Sequence, residues 1–135
     1  MNAPTPGSAR LHFASGSPFE SEFGFSRALR IGDRVLVAGT APIWPDGHCP
    51  DDVAEQARRC FTIIADALGE AGATLEDVVR TRMFLTSAED STAVGAVHGE
   101  LLQRARPVAT MVIVASLLDP RWKVEIEAEA QLPGG

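Results

Sequence analysis

The chain has 135 residues, 45% of them hydrophobic and 22% charged, the composition of one globular domain able to bury its own core without a disulfide or metal staple. Twelve Lys+Arg against 18 Asp+Glu give a net charge of −6. That sign opposes a surface that gathers phosphates, so no nucleic-acid partner is expected. Two cysteines, Cys49 and Cys60, do not make a disulfide framework, and Cys60 sits inside an apolar helical pattern. The Pro/Gly/Ala/Ser-rich start, Met1 to Ser8, has neither the basic head nor the apolar run of an export signal. No stretch reaches the about 20 apolar residues of a membrane helix, so a cytoplasmic location is expected.

Residues 1–15 read as a partly flexible N-terminal segment, 16–132 as one domain, and 133–135 as a tail. In chain order, 11–14 and 23–31 are predicted strands, the second broken by Gly24. Gly32-Asp33 is a tight turn into a β-branched strand over 34–41. The three prolines and the glycine of 42–50 make a loop. Asp52 and Glu55 have capping-box spacing, and Val53, Ala57, Cys60, Phe61, Ile64 and Leu68 then recur at helical period until Gly69 to Gly72. A strand over 78–86 precedes a helix from Asp90 to Arg104 that buries Val94, Val97 and Leu101 and stops at Pro107.

The last quarter is nearly continuous strand. Residues 108–118 are apolar on both faces, while 122–130 alternate, with Val124, Ile126 and Ala128 opposite Lys123, Glu125, Glu127 and Glu129. The Asp119-Pro120 turn predicts that these two strands pair antiparallel. Helices cover only one side of a sheet, so the apolar second face must be buried against copies of the chain, and oligomerisation follows.

The order βββαβαββ, the segments Gly24-Phe25-Ser26-Arg27-Ala28 and Val37-Ala38-Gly39-Thr40, and the run from Arg106-Pro107 to Glu125-Ile126-Glu127-Ala128 resemble the RidA (YjgF/YER057c/UK114) family. The resemblance implies a chorismate-mutase-like α+β fold: a mixed sheet of about six strands with two helices on one face, the subunits packed through the other. It also implies a homotrimer with ligand pockets between subunits, and hydrolysis of reactive imines or enamines without any cofactor. On it, Glu125 falls where a carboxylate positions the attacking water, and Phe25, Ser26, Arg27, Ala38, Gly39, Gly95, Ala109 and Met111 fall at substrate-binding positions. The matches are imperfect: Ala109 stands where an arginine clamps a substrate carboxylate, Phe25 for a tyrosine, Ala38 for a serine, Gly95 for an asparagine and Met111 for a cysteine. Each change removes a polar or charged group, and alanine cannot replace a bidentate guanidinium. This is the pattern of an arginine-less branch, in which deamination of 2-imino acids is not expected.

Each candidate has an ordinary reading beside its functional one. Glu125 is either a general base in an apolar pocket, with Met111 and Ile113 as neighbours, or one of three glutamates on a solvated face paired with Arg80 and Arg82. Arg27 either replaces the missing clamp or makes an ion pair, and Ser26 binds a ligand or the local backbone. Trp44, Phe25 and Phe19 form either an apolar pocket wall or ordinary core or interface packing. His12, His48 and His98 lack metal-ligand spacing. Three functions remain open: an imine or enamine hydrolase, a trimer that binds a metabolite or protein without catalysis, and an endoribonuclease, which conflicts with the charge.

Overall fold

The computed structural model describes residues 9–134, so residues 1–8 of the expected N-terminal segment and residue 135 of the tail lie outside it. A six-stranded mixed sheet has the order β1-β2-β3-β6-β4-β5, formed by β1 (Arg10–Phe13), β2 (Ala28–Ile31), β3 (Arg34–Thr40), β4 (Val78–Leu85), β5 (Val108–Ile113) and β6 (Val124–Gln131). Three α-helices accompany it: α1 (Pro18–Phe23), α2 (Val53–Glu70) and α3 (Ser91–Leu102). The two expected helices are α2 and α3, and α1 is an addition.

The sheet core follows the predicted patterns. Gly32 takes φ 59° in the two-residue turn between β2 and β3, where Ile31 pairs with Arg34; a primed hairpin turn needs that positive φ. Asp52 caps α2 by accepting from the Glu55 amide at 3.0 Å. Val53, Ala57, Cys60, Phe61, Ile64 and Leu68 of α2 are buried against Val124, Ile126 and Ala128 of β6 and Val35 and Val37 of β3. Each large side chain so buried contributes about 1.5–3 kcal/mol. In α3, Val94 and Val97 are buried as expected, but Leu102 replaces Leu101 as the fully buried leucine.

Two expectations are corrected. Of the predicted strand over 23–31 only β2 is strand; Phe23 ends α1 and 24–27 connect the two. Ser17 caps α1 by accepting from the Phe19 amide, Pro18 sits in its first turn, and Gly24 ends it with φ 75°. The predicted hairpin of the last two strands does not form. β5 pairs parallel with β4, because α3 supplies the crossover that parallel neighbours require. β6 instead lies between β3 and β4, antiparallel to both. Strand β5 stops at Ile113, and the chain then crosses the end of β4, with Val114 N donating to Leu85 O at 2.7 Å.

That crossing is pinned by Gln56, a fully buried side chain of α2. Its amide nitrogen donates to Pro50 O at 2.8 Å and Arg121 O at 3.0 Å, and its oxygen accepts from Lys123 N at 2.8 Å. One side chain thus ties the proline-rich loop and the β5–β6 connection to the helix that carries the core. Gln56→Leu keeps the volume but leaves buried backbone groups without partners, so it should cost about 2–4 kcal/mol, or roughly 6–16 °C in Tm. A thermal melt within about 1 °C of the native protein's contradicts the assignment.

Candidate functional site

The helix-free face of the sheet is set by strand alternation. β6 turns Val124, Ile126 and Ala128 to the core and Glu125, Glu127 and Glu129 to the other side. In the β4–β6 register, Arg82 opposes Glu127 and Arg80 opposes Glu129. Arg82 Nη1 lies 2.8 Å from Glu127, Arg34 Nη2 lies 3.0 Å from Glu129, and Arg80 Nε lies 3.9 Å from Glu129. Of the three glutamates, Glu127 and Glu129 take the ordinary role of a charge-paired face. Glu125 does not, for it stands opposite Phe84, and among the described residues it forms no ion pair within 4.0 Å.

The backbone beside Glu125 is irregular. β3 and β6 are in register from Arg34↔Gln131 to Val37↔Ala128 and resume at Thr40↔Ile126, so Ala38 and Gly39 share one opposing position. This is a β-bulge, which leaves strand groups without ladder partners. Arg27 supplies them: its Nη1 donates to Gly39 O and to Thr40 Oγ1, both at 2.9 Å, with Ala38 O at 3.5 Å. Its Nε is 3.7 Å from Glu20 Oε2, and its guanidinium lies 5.8 Å from the centre of the Phe25 ring. Glu20 is itself buried, and accepts from the Ser15 amide at 3.0 Å and from the Ser15 hydroxyl.

Gly39 makes room for the carboxylate. A Cβ at that position would lie 2.6 Å from Glu125 Oε2, closer than any side chain tolerates. Burial therefore pushes the Glu125 carboxyl above the ordinary carboxylate range; the Arg27 charge opposes this and the Glu127 charge adds to it. The apolar neighbours expected of it, Met111 and Ile113, are not its surroundings, and a cation, Arg27, acts on it. Met111 pairs with Met83 and Ile113 with Leu85, which places both on the helix side of the sheet.

The sequence candidates thus divide into two groups within one chain. Phe25, Arg27, Ala38, Gly39 and Glu125 gather at the bulge. Gly95 lies on α3, and Ala109 pairs with Thr81, whose hydroxyl meets His98 Nε2 at 2.8 Å; these and Met111 belong to the helix side of the β5 edge. Ser26 Oγ is 2.9 Å from His12 Nδ1, at a hollow of about 470 Å³ also lined by Phe13, Pro18 and Phe25. A smaller hollow, about 180 Å³, lies over the paired Arg80, Arg82, Glu127 and Glu129. Glu125 lines neither of these two. The expected wall of Trp44, Phe25 and Phe19 does not assemble: Trp44 lies against His48 and Arg59, and Phe19 stacks on Phe23.

Sequence reasoning missed Glu20 and Thr40, which hold Arg27. The signal for Glu20 was Ser17-Pro18 three and two residues ahead of it, a helix start that places it in the first turn. Nothing in the alternation of β3 marks Thr40 as a partner of Arg27, because the bulge that turns it is not written in the pattern.

Comparisons with known proteins agree with this architecture. Residues 16–132 match the family model described as Endoribonuclease L-PSP. A protein of Streptomyces coelicolor is 43% identical over 117 residues, covering 86% of this chain and 87% of its own length. A RutC family protein of Pyrococcus abyssi is 32% identical over 108 residues, covering 78% and 84%. The crystal structure of Rv2704 from Mycobacterium tuberculosis, of the YjgF/YER057c/UK114 family, superposes with a TM-score of 0.84 at 47% identity, covering 92% of this chain and 100% of that one. The E. coli YjgF structure does so with 0.75 at 27%, covering 89% and 92%. Matches of this extent, over a sheet that carries the expected segments in the expected order, make the chain a member of the RidA (YjgF/YER057c/UK114) family.

Proposed function

We propose that the protein is a homotrimeric small-molecule hydrolase acting on an imine, enamine or related substrate without a carboxylate, with Glu125 as general base. The observation that carries this reading is a half-buried carboxylate, left out of the charge pairing of its own strand and resting over a glycine. A carboxylate whose pKa is raised is a stronger base toward a water held beside it. The water oxygen bonds to the imine carbon while the C=N π pair moves to nitrogen. The proton taken up by Glu125 passes to that nitrogen. The same carboxylate then takes the proton of the new hydroxyl and hands it on to nitrogen, so that the C–N bond breaks with its electron pair leaving on the amine or ammonia while the carbonyl forms.

The substrate class follows from charge. Ala109 offers no cation, and Arg34, Arg80 and Arg82 are each engaged by Glu127 or Glu129. The same pairing argues against an endoribonuclease, which needs free cations for phosphates. A trimer is supported by the separation of the two candidate groups. Glu125 and Ala109 lie on opposite faces of one sheet, so they share a pocket only across a subunit boundary. The β5 edge also exposes Val108, Val112 and Ile113, at 61%, 41% and 50%, and covering them favours association. No helix among the described residues is long and apolar enough to cross a membrane, and we place the trimer in the cytoplasm, although a Schizosaccharomyces pombe relative, mmf2, is named mitochondrial.

Sedimentation equilibrium should report three times the 14.3 kDa chain mass; a 14.3 kDa species at micromolar concentration contradicts the trimer. In coupled assays of imine hydrolysis, 2-iminopropanoate should be turned over negligibly, whereas carboxylate-free imines are the expected substrates. Glu125→Gln should lower kcat by about 100-fold or more with the trimer intact, and Gly39→Ala, whose methyl displaces the carboxylate, should do likewise. Native kcat in Glu125→Gln removes the catalytic assignment and leaves a binding trimer as the better reading.

The pH dependence has a definite sign. The base form accumulates as pH rises through the raised Glu125 pKa, so kcat/KM should rise over the same window. Folding raises this pKa, so the native state holds the proton longer and its stability falls as pH climbs from the ordinary carboxylate range through the raised value. Melts of Glu125→Gln should therefore gain on the native protein above that window and not below it. An equal difference at all pH values contradicts the shift.

A further inference from the structure

We propose that Arg27 is a positioning residue that braces the Ala38–Gly39 bulge beneath Glu125, and that it is unavailable to bind a substrate carboxylate. The inference rests on reading Glu125 as the working group of the site, and it names what holds that group in place and what the site excludes.

A bidentate clamp needs two parallel N–H groups free on one edge of the guanidinium. Here Nη1 is committed to Gly39 O and Thr40 Oγ1, with Ala38 O nearby. The Nε edge faces Glu20, and the ring of Phe25 lies against the group. The side chain is only 13% exposed. Glu20 is in turn fixed by Ser15, so the brace runs from the start of α1 through Arg27 to the one irregular stretch of β3. Without it, two carbonyls that the bulge removes from the ladder lose a charged donor, and the backbone that leaves space for Glu125 loosens.

Arg27 also acts on Glu125 through its charge, opposing the effect of burial. The other groups beside that carboxylate are Glu127 on its own strand, Gly39 on β3 and Phe84 on β4, and the buried Cys60 thiol of α2 feels its charge from the opposite side of the sheet. None of these is a cation. The site therefore presents an anionic carboxylate and an arginine already bound to main chain, which suits a neutral imine or a cationic iminium.

The test is carboxyl-detected NMR titration of Glu125 in the native trimer, R27Q and R27K, with amide exchange at Thr40 and Ile126, the ladder pair beyond the bulge. R27Q should move the Glu125 midpoint upward and accelerate exchange by about tenfold or more. R27K keeps the charge but cannot span the acceptors, so its midpoint should stay near native while exchange still accelerates. Pyruvate, as a carboxylate probe, should leave the Arg27 guanidinium resonances of the native protein unmoved. The proposal is overturned by native exchange in both variants, by an unchanged midpoint in R27Q, or by a shift of the native Arg27 guanidinium resonances on adding pyruvate. If R27Q does not fold, exchange in R27K decides alone. A Glu125→Gln variant with native turnover would sink the hydrolase reading yet leave these readouts in place, so the two failures are distinguishable.

Discussion

One extra residue in β3 governs the candidate site. Because Ala38 and Gly39 together oppose one position of β6, the strand bends where a regular ladder would have placed a side chain against Glu125. Glycine leaves that space empty, and the carboxylate occupies it. The irregularity has a cost in unpaired carbonyls, which Arg27 offsets with Glu20 behind it. Bulge, glycine, arginine and carboxylate form one unit, in which the altered backbone matters as much as the residue types.

The contrast with the rest of β6 shows why Glu125 differs from its neighbours. Glu127 and Glu129 stand opposite Arg82 and Arg80, and exposed pairs of this kind stabilise by less than about 1 kcal/mol each. Their larger effect is on register, since a slip by one residue would set arginines and glutamates on different faces. Glu125 stands opposite Phe84 instead. It adds no charge pairing, and desolvation lifts its pKa. A carboxylate that is partly desolvated and left out of the charge pairing of its strand is where function is expected.

The alternation of 122–130 and the helical period of 53–68 were legible in the sequence because both patterns are imposed by one core, the face shared by α2, β3 and β6. Helix α1 was not legible as a helix, since its six residues are too few for a helical period to show, and only Ser17-Pro18 and Gly24 mark its ends. The pairing of β5 was misread because a Pro-containing turn between two strands suggests a hairpin, whereas the crossover through α3 decides the partner. The family resemblance named the right segments, including Arg27 and Gly39. The role of Arg27 depends on a bulge and a buried Glu20, and neither follows from residue spacing.

The central claim is that Glu125 is the one carboxylate of its strand held out of charge pairing and partly out of water. The most direct measurement is residue-resolved carboxyl NMR titration of Glu125 in the native and in the urea-unfolded protein. The account predicts a native midpoint above the unfolded one. A native midpoint at or below the unfolded one would contradict it.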